Sequence, residues 1–142
     1  MTTPSNALQA AIYQALRGNS TLSTLLGANT KIFDFVPEAA TPPFVVIGDD
    51  TATDWGTKTN NGWDATITIH CWDFEAAGRK SVKSILSAIY AALNRQEDAI
   101  TISGFTLVML QFDFETTQKD PIDPQGDRCY HGIQRYRALI QD

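Results

Sequence analysis

The side chains best suited to chemistry fall in two short pairs, His70-Cys71 and Cys129-x-His131. Two imidazoles and two thiols form the soft ligand set that holds tetrahedral zinc. Strand geometry opposes that use, because adjacent residues point to opposite faces and His70 and Cys71 converge only across a bulge. A Cys71–Cys129 disulfide is a second use of the thiols. A third is Cys71 as a small buried side chain, with His131 an ordinary polar partner. Asp73 and Glu75 follow His70 closely enough to suggest acid–base pairing, yet no nucleophile or oxyanion site accompanies them. Asp50 to Gly56 has some acids of a calcium loop, but Ala52 stands where an oxygen ligand is needed. Asn61 stands where the bidentate glutamate belongs. The chain has no Gly-rich loop ending in Gly-Lys-Ser/Thr, no Gly-x-Ser-x-Gly elbow and no His-Glu-x-x-His pair. The expectation is a protein that is not an enzyme and has neither a catalytic residue, a metal nor a cofactor.

The aromatic residues point elsewhere. Trp55, Trp63 and Trp72 lie within one hairpin-like stretch, two of them beside acids at Asp54-Trp55 and Trp72-Asp73. Tryptophan joins a large apolar area to one polar handle, which suits protein interfaces. Trp63 and Trp72 read as caps on the ends of a core strand. Trp55, set among Asp54, Gly56, Thr57 and Lys58, reads as a partner contact.

The elements that position these residues follow from periodicity. Residues 5–17 read as a helix with Leu8, Ile12 and Leu16 on one face, capped by Ser5 or Asn6 and closed at Gly18 by a left-handed residue. A second short helix spans about 20–26, capped by Asn19 or Ser20, with Leu22, Leu25 and Leu26 inward and Gly27 at its end. Ile32-Phe33 begins a short strand. Pro42-Pro43 cannot donate to a ladder, so the strand Phe44-Val45-Val46-Ile47 starts after them. Asp49 to Asn61 is polar, and Asn60-Asn61-Gly62 signals a turn. From Asp64 to Trp72 the alternation is strict: Ala65, Ile67, Ile69 and Cys71 share one face. Residues 77–94 form a long amphipathic helix on Val82, Ile85, Leu86, Ile89 and Leu93. A strand from Phe105 to about Thr117 alternates Phe112 and Phe114 against Gln111, Asp113 and Glu115. After a Pro/Gly loop at 119–127, a last strand puts Tyr136, Ala138 and Ile140 opposite Arg135 and Arg137. The order predicts an α+β fold, a mainly antiparallel sheet with two main helices packed on one face, in a single domain over residues 1–142.

The composition narrows the function classes. In 142 residues, 43% are hydrophobic and 19% charged, with 11 Lys+Arg against 16 Asp+Glu for a formal charge of −5. A nucleic-acid binder needs a basic face, which this balance opposes. No apolar run approaches the ~20 residues of a membrane span, so no membrane partner is expected. The N-terminal residues lack a signal-peptide pattern. Two cysteines are too few for a disulfide scaffold. The charge is divided: between Asp34 and Asp64 six acids face one base, Lys58, whereas Arg128, Arg135 and Arg137 crowd near the C-terminus.

Several stretches in order carry a family resemblance. They are Leu8-Gln-Ala-Ala-Ile-Tyr-Gln-Ala-Leu16, Leu22-Ser-Thr-Leu-Leu26, Ile32-Phe33 with Val36-Pro37, and Pro43-Phe-Val-Val-Ile-Gly48. Asp54-Trp55-x-Thr57-Lys58-Thr59, Gly62-Trp-Asp-Ala-Thr-Ile-Thr-Ile-His-Cys-Trp72, Asp127-Arg128 and His131-Gly-Ile-Gln-Arg-Tyr-Arg-Ala-Leu139 complete the set. Over nearly its whole length the chain resembles siphovirus-type phage tail terminator (tail completion) proteins, a family that includes gene-transfer-agent and prophage relatives. The resemblance implies a structural virion protein assembled in the bacterial host cytoplasm. It implies a homo-hexameric ring that caps the head-proximal end of the tail tube and stops its polymerisation. Its partners would be further copies of itself, the tail tube protein and the head-completion or neck protein, with DNA threading the lumen without specific binding. Another neck or tube-end ring component, a stopper or adaptor, is the neighbouring reading; a small metal- or ligand-binding domain is the distant one.

A ring needs two different complementary patches on each subunit. The acidic stretch and the C-terminal arginines are suited to that, and the 49–62 hairpin and 119–127 loop are the longest polar protrusions. The candidate subunit or tube interface is therefore Asp49, Asp50, Asp54, Trp55 and Lys58, with Asp120, Asp123, Asp127, Arg128, Arg135 and Arg137.

Overall fold

The computed structural model describes residues 2–120 and 128–142. Its elements run α1 (Ser5–Arg17), α2 (Ser20–Leu26), β1 (Ile32–Phe33), β2 (Phe44–Asp54), β3 (Gly62–Phe74), a 3₁₀ turn (Glu75–Ala77), α3 (Gly78–Leu93), β4 (Thr106–Asp120) and β5 (Cys129–Gln141). The strands form one sheet in the order β1-β2-β3-β5-β4. Strands β1 and β2 pair in parallel. The other pairings are antiparallel, giving the expected α+β class.

Strand β3 is the axis of the sheet. Its odd-numbered residues Ala65, Ile67, Ile69 and Cys71 are buried in the main core with Val45 and Ile47 of β2 and Tyr136, Ala138 and Ile140 of β5. Helices supply the rest: Leu8, Ile12 and Leu16 from α1, Leu22 and Leu26 from α2, and Val82, Ile85, Leu86, Ile89 and Leu93 from α3. Both helical stripes anticipated from the spacing are thus buried. Leu25 is not; it is 38% exposed, because Leu22 and Leu26, four apart, take the inner face of the short helix.

The helix ends depart from expectation in two places. No side chain caps α1, which begins after Pro4 with the Leu8 amide donating to the Pro4 carbonyl at 2.7 Å. Gly18 is right-handed at φ −79°, since the chain turns directly into α2. There Asn19 Oδ1 accepts from the Leu22 amide at 2.9 Å, and Gly27, at φ 89°, is the left-handed end.

Gly132 is where α3 touches the sheet. A Cβ there would lie 2.6 Å from Val82 Cγ1, 2.8 Å from Cys71 Sγ and 2.9 Å from Leu86 Cδ1. Only a residue without a side chain lets the helix approach this closely.

Strand β4 does not alternate as its sequence suggests. The register slips between Leu107 and Met109 and again between Phe112 and Phe114. The second bulge sends neighbouring aromatics to different surroundings. Phe112 pairs with Tyr136 and packs on the core, whereas Phe114 pairs with Arg135 and is 42% exposed. Phe112 and Phe114 therefore do not share a face.

Candidate assembly surface

Beyond Ile47, strand β2 slips register at Gly48–Asp49 and continues as a hairpin arm paired with β3 from Asp50↔Ile67 to Asp54↔Trp63. A Cβ on Gly48 would lie 2.6 Å from the His70 ring, so glycine lets β2 bend past that imidazole. Asp49, Asp50, Thr51, Ala52, Thr53 and Asp54 are all exposed. The Thr51 and Thr66 hydroxyls hydrogen bond across the strands at 2.6 Å. The tip is tied by Trp55 N to Gly62 O and Thr57 N to Asn60 O, each 2.8 Å. Trp55 is 38% exposed, with its ring edge over Gly62. Lys58 lies in the exposed tip. The calcium-like stretch 50–56 is thus mostly extended strand, and its acids do not wrap a central point.

The C-terminal arginines are placed differently from their spacing in sequence. Arg137 grips Asp64 with two hydrogen bonds, Nε to Oδ1 at 2.9 Å and Nη2 to Oδ2 at 2.7 Å. That grip holds the Asp64 carboxyl below the usual aspartate range and raises Arg137. Arg135 Nε meets Asp113 Oδ2 at 2.7 Å, and its guanidinium lies 5.1 Å from the Phe114 ring centre. Both cations are therefore matched within the chain. Arg128 is exposed where β5 begins, about 20 Å from Arg135 at ~3.3 Å per strand residue. The three arginines do not form one patch. Asp120 is the last residue of β4, its backbone opposite Cys129. Asp123 and Asp127 lie outside the described residues.

The His/Cys residues split across the sheet. Cys71 is buried in the main core, and Cys129 sits in a small second cluster with Phe44 and Trp72. No disulfide joins them. Burial pushes the Cys71 thiol far above its usual value, so it is no thiolate nucleophile. The two histidines do meet: His70 Nδ1 and His131 Nε2 are 2.8 Å apart. The Gln118 side-chain amide reaches His131 Nδ1 at 3.4 Å. Trp72 stacks on His131 with centroids 4.3 Å apart. Asp73 accepts instead from the Ser81 hydroxyl and the Phe74 amide, and Glu75 pairs with Lys119 at 2.7 Å. Among the described residues no group of three metal-binding side chains converges.

One buried polar group escaped the sequence reading. Gln134 is fully buried on a face that otherwise alternates apolar. Its Nε2 donates to the Leu86 carbonyl at 3.1 Å and to Glu115 Oε1 at 2.7 Å, while Oε1 accepts from the Tyr136 hydroxyl at 2.5 Å. Burial pushes that hydroxyl well above the usual tyrosine range. The network locks α3, β4 and β5 together; it is structural polarity with all its partners in place.

The exposed β2 segment with its hairpin tip, and the β4 edge without a strand partner among the described residues, are suited to assembly. The model of the family described as Tail completion protein gp17 matches residues 10–141. The chain belongs to this tail completion family. The tail completion protein is accordingly a structural tail component of a virion. It is also similar to a chain in the solved structure "Virion of native gene transfer agent (GTA) particle", at 26% identity and a TM-score of 0.83. That alignment covers 100% of both chains. No curated protein matches the sequence. Within the described residues, no helix of the tail completion protein is long and apolar enough to cross a membrane.

Proposed function

We propose that this tail completion protein is the terminator of the tail tube. It forms a homo-hexameric ring on the head-proximal end, stops polymerisation of the tube protein, and presents its far side to the head-completion or neck protein. The observation that carries the reading is family membership over residues 10–141, seconded by the full-length likeness to a chain of a gene transfer agent virion.

The geometry supports it in three ways. Strand β4 leaves one full edge of the sheet without a strand partner among the described residues, and β1 covers only Val45 and Val46 of β2. Such edges can add strands from a neighbour or from the tube end. The β2 side of the arm, with Asp49, Asp50, Asp54, Trp55 and Lys58, presents polar and exposed groups. Finally, Arg135 and Arg137 are already matched to Asp113 and Asp64, in a chain of net charge −5. A lumen lined by such pairs does not trap phosphates, so DNA slides through without specific binding.

Deleting the gene from the parent particle tests this. The expected result is over-long or uncapped tubes and few particles joined to heads, seen by electron microscopy. Capped tails of normal length joined to heads would contradict it.

A further inference from the structure

Opposite charges lie along β3. Beside its first half, Asp50 lies opposite Ile67 and Asp54 opposite Trp63; with Asp49 they are exposed, and no ion pair engages them among the described residues. At the other end, α3 begins directly after β3 and its 3₁₀ turn. Its first turns expose Arg79, Lys80 and Lys83, which likewise form no ion pair among the described residues. Arg79 instead lies 4.7 Å over the Tyr130 ring, which holds its cation near the sheet end. Exposed Arg128 adds to the same end.

Each end also has an apolar anchor. Trp55 is 38% exposed at the arm tip and Phe74 is 40% exposed at the basic end. Phe74 lies beside Glu75, Ala76 and Arg128 on an open surface. Charge complementarity sets orientation and encounter rate, while a buried aromatic supplies most of the holding energy. Trp55 and Phe74 are separated by the length of β3, roughly 40 Å at ~3.3 Å per residue. A subunit with different, complementary patches at opposite ends associates head-to-tail, and that contact closes into a ring when each step rotates.

We propose that the acidic β2–β3 arm of one copy docks on the basic N-terminal end of α3 in the next copy, with Trp55 set against Phe74. The proposal rests on the ring reading above and names the surfaces that close the ring. It moves the cationic partner of the acidic stretch from Arg135 and Arg137, which the chain itself neutralises, to Arg79, Lys80 and Lys83.

Producer cells lacking the gene would be supplied with three full-length variants. The first carries Asp49→Lys, Asp50→Lys and Asp54→Lys; the second carries Arg79→Glu, Lys80→Glu and Lys83→Glu; the third carries all six. Either reversal alone places like charges opposite each other and lowers joined particles by about tenfold or more. The six-fold swap restores the attraction and brings yield back to within about threefold of wild type by the same complementarity. In wild-type particles, a zero-length carbodiimide cross-linker joins arm carboxylates to Lys80 or Lys83. Mixed isotope-labelled copies show that the link is between chains, and this arm needs no variant to fold. Unchanged yield after either reversal overturns the proposal, as does a six-fold swap without recovery or an absence of arm-to-α3 links. The ring reading fails separately, if wild-type particles contain a single copy of the chain.

Discussion

The two ends of β3 are built from the same alternating strand yet differ in what covers them. Near Cys71, helix α3 lies on Gly132 so closely that a single added methyl would meet Val82, Leu86 and Cys71 inside 3.0 Å. Toward Asp64, the strand runs into an arm in which every residue of β2 from Asp49 to Asp54 is exposed. The first region spends its side chains on packing, where a change of one methylene is felt. In the second, β3 still buries Ala65 and Ile67, while the paired β2 residues 49–54 stay exposed, so the acids and Trp55 face outward. Stability and assembly are thus separable along one strand.

The largest effect that would break this contrast is at the packed end. Gly132→Val forces α3 away from the sheet and should cost about 1–3 kcal/mol or more. A chemical-denaturation midpoint equal to wild type would show that the close approach is not needed. The smallest effect lies near the arm tip, where Asp64 of β3 meets Arg137 of β5. Arg137 lowers the Asp64 pKa in the folded state, chiefly through its hydrogen bonds. A depressed carboxylate contributes stability above its unfolded value and loses it as the pH falls through the lower folded value. The pair is solvent-exposed, so screening keeps the contribution small. Thermal midpoints of wild type and Asp64→Asn should therefore differ slightly at neutral pH and converge under acid conditions. A gap that widens on acidification would contradict the sign.

Much of the fold was readable because burial imposes a period. Ala65 to Cys71 alternate into the core, and Val82 to Leu93 return every three or four residues. Turn residues marked the arm tip. What remained hidden depends on partners distant in the chain. The bulge at Asp113, which parts Phe112 from Phe114, is set by pairing with β5. The meeting of His70 with His131 requires the β3–β5 register, which puts Trp72 opposite His131. Gln134 looks like a surface residue until Leu86, Glu115 and Tyr136 surround it. The arginines were misleading for the same reason: nearness in sequence hid the aspartates that β3 and β4 bring to Arg137 and Arg135. The interface residues stood out by type and exposure, whereas the basic face of α3 looked like the ordinary solvated side of a helix.

Where the protein sits and how its copies meet is tested most directly by electron cryomicroscopy of assembled particles. The account predicts six copies in a closed ring at the head-proximal end of the tube, each arm reaching the α3 end of its neighbour. A chain found at the distal tip, or present without a ring, would contradict it.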